Sequence, residues 1–447
     1  MSFIITNEEE NIFKMILSCT PNNVVPRVAG GWVRDKLMGI NSYDMDIALE
    51  NITGYEFAKL LEQKFKDSMS NVNVVQINPD KSKHLETAVC RINGILIDFV
   101  NLRCEKYTDT RIPLITIGTA QEDAFRRDLT INALFYNLIT KEIEDFTGMG
   151  IKDIKNKILR TPLDPFITFS DDPLRILRLF RFKAKLNFDI YSEIQKSLNN
   201  LDLKLHLKNK VSKERVNIEI FKMINYKYGY LGIHELIKYE YIESVFNLKL
   251  NKEKVLDYYQ AIKELNDEEY RWIYNLYIIF LESSCQLVQD KNKKKFLNFV
   301  ICRDNLCCSS RIINTIKEIE EGLYLYKMLN FEDLTLYNIY FIIIILGSYY
   351  QIILKLECIK NNSQILQNFI NYLDQHKISY NFSKPKIDIK DIDKKLNIEK
   401  KYISYIVKEI KVYQICNPDS DLLDHLLRNK LEIINKFDKV KIPYLNE

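Results

Sequence analysis

The nine cysteines show no zinc-ligand spacing: Cys302, Cys307 and Cys308 cluster, but none of the five histidines lies near enough in sequence to complete a tetrahedral site. They are expected to be reduced, buried small hydrophobes. No paired His-Asp motif occurs, which argues against a metal-dependent phosphohydrolase. The first residues, Met1-Ser-Phe-Ile-Ile-Thr-Asn-Glu-Glu-Glu10, are acidic and have neither a signal peptide's pattern nor the Arg-rich character of an organelle presequence. The expected compartment is the cytoplasm, with nucleus or mitochondrion as alternatives. The longest apolar run, residues 339–354, is interrupted by Gly347, Ser348 and Gln351 and falls short of the roughly 20 residues a membrane span needs. It reads as a core helix, and no membrane partner is expected. No fixed-period repeat appears, so a solenoid is not indicated.

What is present suits a large folded protein. With 447 residues, 47% hydrophobic and 28% charged, the chain can bury several cores and is expected to hold two to four packed units. A net charge of +4 hides an asymmetry: residues 1–150 carry 16 basic against 21 acidic side chains, and the rest carries 48 against 39. An acidic head on a basic body suits RNA, although charge alone does not establish nucleic-acid binding.

The most informative stretch is Arg27-Val-Ala-Gly-Gly-Trp-Val-Arg-Asp-Lys36 with Asp44-Met-Asp46 eight residues on. Residues 24–29 fit a short strand ending at Gly30-Gly31, where the missing Cβ lets backbone N–H groups approach an anion. Residues 32–38 read as a helix whose positive end would face phosphate, with Arg34 one turn in as a fixed cation. Asp44 and Asp46 lie in an alternating strand, so a period of two points both carboxylates to one face. Two hard oxygen donors there suit Mg²⁺. Together, turn and carboxylates resemble the head signature of class II tRNA nucleotidyltransferases, the CCA-adding enzymes of the polymerase-beta-like superfamily.

Further along the head, Thr53-Gly-Tyr-Glu56 is a capping box for a helix reaching about residue 66. Strands are expected at 72–77, 86–92 and 95–101, with Asn93-Gly94 as the hairpin turn between the last two. Asp98 would then lie on a strand able to neighbour Asp44 and Asp46, as a candidate third catalytic carboxylate. Residues 103–121 lack a clean period and read as a loop. Arg126-Arg-Asp-Leu-Thr-Ile-Asn-Ala-Leu-Phe135 is expected to open a helix at Arg127 and Asp128, the guanidinium reaching triphosphate and the carboxylate accepting from ribose hydroxyls. This string is similar to the second motif of the same family.

In Ser170-Asp-Asp-Pro-Leu-Arg-Ile-Leu-Arg-Leu-Phe-Arg181, Asp172 is expected at a helix N-cap and Pro173 at the first helical position, with Arg175, Arg178 and Arg181 along one face. Cytosine and adenine both present an amino donor beside a ring-nitrogen acceptor. An acceptor-only Asp beside a donor-only Arg fits those two bases and opposes guanine and uracil. The segment resembles the family's nucleotide-selecting motif, which implies that Asp172 and Arg175 template C and A and that Arg178 and Arg181 touch triphosphate. Val211-Ser-Lys-Glu-Arg215 is similar to the neck motif that steadies this helix, and residues 78–87 and 98–103 continue the likeness. It covers roughly residues 24–225 and looks like the eukaryotic branch; residues 384–418 are only reminiscent of the family's tail.

The expected fold is therefore α+β: a small mixed-sheet nucleotidyltransferase head (1–147), then an all-helical neck with the nucleotide-selecting helix (148–225), body (226–370) and tRNA-binding tail (371–447). The resemblance implies template-independent addition of CCA to tRNA from CTP and ATP by two-metal chemistry at Asp44, Asp46 and Asp98, with metal on Asp44 and Asp46. Nucleotide contacts are expected from Gly30, Gly31, Arg34, Arg127, Asp128, Asp172, Arg175, Arg178 and Arg181. The expected partners are tRNA, ATP and CTP, without DNA. The alternatives are a narrower relative (A-adding, CC-adding or poly(A) polymerase) and a noncatalytic tRNA-binding protein.

Overall fold

The computed structural model describes residues 3–42, 44–70, 72–75, 87–106, 114–265, 267–291, 293–382 and 398–440, together with 384, 385, 387 and 396. They form two compact units, Met1–Ser244 and Val245–Glu447.

The first unit opens with α1 (Asn7–Cys19), where the Thr6 hydroxyl accepts from the Glu9 amide and the Glu9 carboxylate accepts from the Thr6 amide. Such reciprocal caps satisfy two of the donors that a helix start leaves open. There follow β1 (Arg27–Ala29), α2 (Gly31–Leu37), β2 (Asp44–Leu49), α3 (Gly54–Lys64), β3 (Asn73–Val75), β4 (Thr87–Ile92) and β5 (Ile95–Asn101). Thr53 and Glu56 form the expected capping box on α3, and Asn93 and Gly94 both take positive φ in the two-residue turn that joins β4 to β5. Next come β6 (Arg103–Lys106), β7 (Leu114–Ile117), α4 (Ala120–Phe125), β8 (Phe135–Asn137) and β9 (Ile143–Glu144).

Seven strands make one mixed sheet in the order β3-β4-β5-β2-β1-β8-β9, with β2 and β5 parallel and the other neighbours antiparallel. On β2, Met45, Ile47 and Leu49 enter the core while Asp44 and Asp46 stay exposed, as the alternation requires. A patch of small residues, Ala29, Ala48, Ala120, Ala124 and Ala133, packs with Leu102 and Phe135.

Two expectations for the head need correction. Residues 103–121 are not a plain loop: their described ends pair as the β6–β7 hairpin and then enter α4. No helix begins at Arg127 and Asp128 either. A Thr119–Glu122 capping box starts α4 earlier, the helix ends at Phe125, and Thr130–Asn132 form a short 3-10 turn. Most of the motif at 78–87, part of the strand expected at 72–77, and most of 384–393 lie outside the described residues.

The remainder of this unit is α5 (Gly150–Asn156), β10 (Ile158–Leu159), α6 (Pro165–Asp171), α7 (Leu174–Leu186), β11 (Asp189–Ile190), α8 (Ser192–Ser197), α9 (Leu201–Lys210), α10 (Lys213–Asn225) and α11 (Gly229–Lys238). The N-cap of α7 is Pro173 rather than Asp172, which sits one residue earlier as the C-cap of α6; its carboxylate still accepts from the Leu174 amide at 3.3 Å. Strands do not vanish after residue 151: β10 and β11 pair in parallel, and the second unit holds an antiparallel pair, β12 (Leu287–Asp290) with β13 (Lys293–Phe296).

The second unit is otherwise helical. Its core includes Ile273–Phe280, and the buried Glu320 carboxylate accepts from Tyr277 Oη, Asn298 Nδ2 and the Cys285 amide. The stretch Leu336–Asn361 is long and apolar enough to cross a membrane by length and composition, yet 67% of its apolar window is buried inside the protein, and Gly347 at φ 75° separates Leu336–Leu346 from the helix Tyr350–Asn361. It packs as core.

The docking of α3 on the sheet is the tightest backbone approach beneath the site. A Cβ at Gly54 would stand 2.2 Å from the Phe99 carbonyl oxygen, and the Gly54 amide donates to Asn101 Oδ1 at 3.2 Å. Gly54→Ala is expected to cost about 1–3 kcal/mol by forcing α3 off β5, read as a lower thermal midpoint; an unchanged midpoint would show that α3 has slack.

Candidate active site

Strand register assembles the site. Ala29 pairs with Asp46 across β1 and β2, and Asp46 pairs with Asp98 across β2 and β5. Gly30, the next residue after Ala29, is thereby set beside Asp46. In-register partners on parallel strands share a face, so Asp98 joins Asp44 and Asp46 as expected from sequence.

The Asp46 side chain reaches solvent, yet protein crowds it on most sides. Loss of bulk water, with the Asp98 and Asp44 charges adding to it, pushes its carboxyl up to about 6 against the opposing pull of Arg127. Two hard oxygen donors with a third carboxylate alongside, at a place where ionisation is disfavoured, suit a divalent cation whose charge would relieve the repulsion. No three potential ligand side chains close around one point among the described residues.

Gly30 has φ 67° and ψ −113°, and a Cβ there would lie 2.7 Å from Arg127 Nη1 and 3.2 Å from the Asn132 carbonyl oxygen. Only glycine fits. Its amide, however, donates to the Leu134 carbonyl at 2.8 Å, so the amides left open at the start of α2 are those from Gly31 onward. Arg34 is buried beneath this end. Its guanidinium donates to Asp35 Oδ1 and Asn132 Oδ1 and lies 5.2 Å from the Phe182 ring centroid, so the structure shows it holding the turn.

Arg127 is locked on three sides. Nε and Nη2 donate to Asp123 Oδ2 at 2.9 and 2.7 Å, Nη1 donates to the Asn132 carbonyl at 3.0 Å, and the guanidinium lies 4.9 Å from the Phe135 ring centroid. Burial alone would raise Asp123, but Arg127 and Arg126 outweigh it and hold its carboxyl below the usual value. The result is a fixed cation within electrostatic reach of Asp46.

Asp128 has the opposite fate from Asp46. Burial works to raise it too, but the Arg178 guanidinium, the Asn132 amide and the charge of Arg175 hold it at about 2. Arg178 donates to Asp128 Oδ2 at 2.7 Å, and Asn132 Nδ2 donates to Oδ1 at 3.0 Å. On the same face of α7, Arg181 pairs with Glu219 at 2.6 Å and Arg178 approaches that carboxylate at 3.8 Å. Arg175 Nη1 donates to the Thr168 carbonyl at 3.3 Å. Asp172 Oδ2 accepts from Arg215 Nη2 at 2.9 Å.

Electrostatic and hydrogen-bonded links thus run from Asp46 through Arg127 and Asn132 to Asp128, and on to α7 and α10. Sequence reasoning singled out Asp46, Arg127, Asp128 and the α7 arginines and missed Asp123, Asn132 and Glu219. Asp123 was detectable four residues before Arg127, at helical spacing, and Asn132 stood inside the quoted motif. Glu219, one turn after Arg215, carried no signal without the tertiary contact.

Residues 26–160 match the poly A polymerase head domain. The chain is 38% identical over 339 residues to a tRNA nucleotidyltransferase of Schizosaccharomyces pombe, covering 69% of this chain and 67% of that one. The chain belongs to the tRNA nucleotidyltransferase family. It is also 40% identical over 272 residues to the mitochondrial CCA tRNA nucleotidyltransferase of Saccharomyces cerevisiae, a match that covers 57% of this chain but spans about half that enzyme's length (50%). Among solved structures, a CCA-adding enzyme of Thermotoga maritima complexed with tRNA aligns with a TM-score of 0.66 at 22% identity, over 95% of this chain and 96% of that one; this likeness supports the fold. Nucleotidyltransferases of this superfamily generally use divalent metal ions.

The raised Asp46 carboxyl has a consequence for stability. Because the folded protein holds Asp46 protonated up to about pH 6 while the unfolded chain ionises it near 3.8, the metal-free fold loses stability as pH rises through that window. Asp46→Asn is therefore expected to raise the thermal midpoint in EDTA at pH 7.5, with the gain fading by pH 4. A midpoint equal to wild type at pH 7.5 would remove the repulsion argument.

Proposed function

We propose that this chain adds C, C and A to the 3′ end of tRNA without a nucleic-acid template, taking CTP twice and ATP once and releasing pyrophosphate. One observation carries the reading: Asp44 and Asp46 share the exposed face of β2 beside the Gly30 turn and Arg127, in a family whose relatives are named for this reaction.

Asp44 and Asp46 would hold Mg²⁺, with Asp98 adding negative charge; when bound, the ions would activate the tRNA 3′-hydroxyl and neutralise the leaving pyrophosphate. The chain's own groups do the rest. Arg127, fixed by Asp123, and the amides at the start of α2 seat the triphosphate. Asp128, ionised and acceptor-only, takes ribose hydroxyl donors and so selects ribonucleotides. Asp172, oriented by Arg215, accepts the amino donor of C or A, while Arg175 donates to the ring nitrogen. Arg178 and Arg181 lend positive charge along the same helix face, and Gly31 and Arg34 shape the seat. The finer division into head (1–147), neck (148–225), body (226–370) and tail (371–447) belongs to this reading, as does the absence of DNA or membrane partners. A cytoplasmic location is proposed with it, and the mitochondrion named in two relatives is the other compartment to examine.

Incubating tRNA lacking its 3′ end with each labelled triphosphate and Mg²⁺ should give two C and one A, with no G or U. Asp44→Ala should abolish incorporation, whereas Asp172→Ala should admit G or U while retaining turnover. Incorporation unaffected by Asp44→Ala, or unaltered base choice in Asp172→Ala, would refute the corresponding role.

A further inference from the structure

The β12–β13 hairpin of the second unit is unlike its helical surroundings. Its strands pair from Leu287↔Phe296 to Asp290↔Lys293, and Lys291 follows the last pair. Its base is rigid. Lys295 and Arg303 both reach Asp290 Oδ2, at 2.6 and 2.7 Å, and both lie over the Phe299 ring at 5.6 and 5.7 Å. Phe296 is buried against Tyr324, and Gln289 Nε2 donates to the Lys291 carbonyl at 2.9 Å, pinning the tip.

The tip carries the unbalanced charge. Lys291, Lys293 and Lys294 are exposed, and among the described residues none of them takes part in an ion pair with a carboxylate, in contrast to Lys295 below them. Lys291 also occupies a left-handed position, φ 55°, which a lysine takes at a cost and which glycine or asparagine would fill without strain. No aromatic side chain is exposed on either strand to stack a base, and the exposed apolar Leu287 lies at the far end of β12 from the lysines. A presented cluster of cations suits a row of phosphates, read for charge and not for sequence.

We infer that Lys291, Lys293 and Lys294 of the β12–β13 hairpin form a phosphate-backbone clamp for the tRNA substrate, a contact made by the second unit. This rests on the tRNA reading above. The full chain, as wild type, as Lys291→Gln/Lys293→Gln/Lys294→Gln and as the corresponding triple Arg variant, would be titrated with tRNA lacking its 3′ end at about 50 to 300 mM salt. Loss of three phosphate contacts should weaken binding roughly tenfold at the lowest salt and flatten the log-log salt slope by about 2 to 3. The KM for tRNA should rise while kcat and the KM for CTP hold, and the Arg variant should behave as wild type. Equal slopes for wild type and the Gln variant, with tight wild-type binding, overturn the hairpin's role alone; a wild-type chain that neither binds nor extends tRNA overturns the parent reading as well. Binding of wild type to anionic phosphatidylserine vesicles, lost in the Gln variant while tRNA binding is unchanged, would assign the tip to membrane and also overturn the proposal.

Discussion

Strand register is the constraint on which the site depends. Ala29, Asp46 and Asp98 stand in one line across three strands, and that line fixes which residue follows the phosphate turn and which face carries the carboxylates. A slip of one residue on β2 would turn Asp44 and Asp46 into the core and bring Met45, Ile47 and Leu49 to the surface, so the apolar alternation that buries the sheet also enforces the chemistry. The close seat of α3 at Gly54 and the alanine patch around Ala29, Ala48 and Ala133 hold that sheet from both sides.

On this frame, two carboxylates of the same unit are driven in opposite directions. Asp46 loses bulk water and has neighbours of its own sign, and is pushed up to about 6 at the place where a cation would sit. Asp128 is buried too, but Arg178, Asn132 and Arg175 serve it and it stays ionised down to about 2. The contrast separates a cation-binding group from a hydrogen-bond acceptor. Asn132 connects the two regions: its side chain reaches Arg34 and Asp128, and its backbone carbonyl receives Arg127. The Arg178 and Arg181 pairs with Asp128 and Glu219 then fasten α7 between the sheet and α10.

Much of this was legible in the residues. The Thr53–Glu56 capping box, the Asn93-Gly94 hairpin, the alternation around Asp44-Met-Asp46 and the neighbouring of Asp98 follow from local rules that tertiary packing did not override. Failures came where a local signal was overlooked or outweighed. Thr119 to Glu122 was a capping box within a segment read as loop, and it moved the helix ahead of Arg127. The commitment of the Gly30 amide to Leu134, the burial of Arg34 under the turn, and the Asp172–Arg215 and Arg181–Glu219 pairs are long-range facts that no spacing rule encodes. The two-stranded sheets β10–β11 and β12–β13 lie in segments whose composition reads as helical or turn-like.

The most direct test is a crystal of this chain grown with Mn²⁺ and a non-hydrolysable CTP analogue, with the metal located by anomalous scattering. The account predicts metal bonded to carboxylate oxygens of both Asp44 and Asp46 at about 2 Å, with phosphate oxygens completing the shell and facing the start of α2. Metal and triphosphate bound away from β2, or Asp44 and Asp46 free of metal while the nucleotide is ordered, would contradict it.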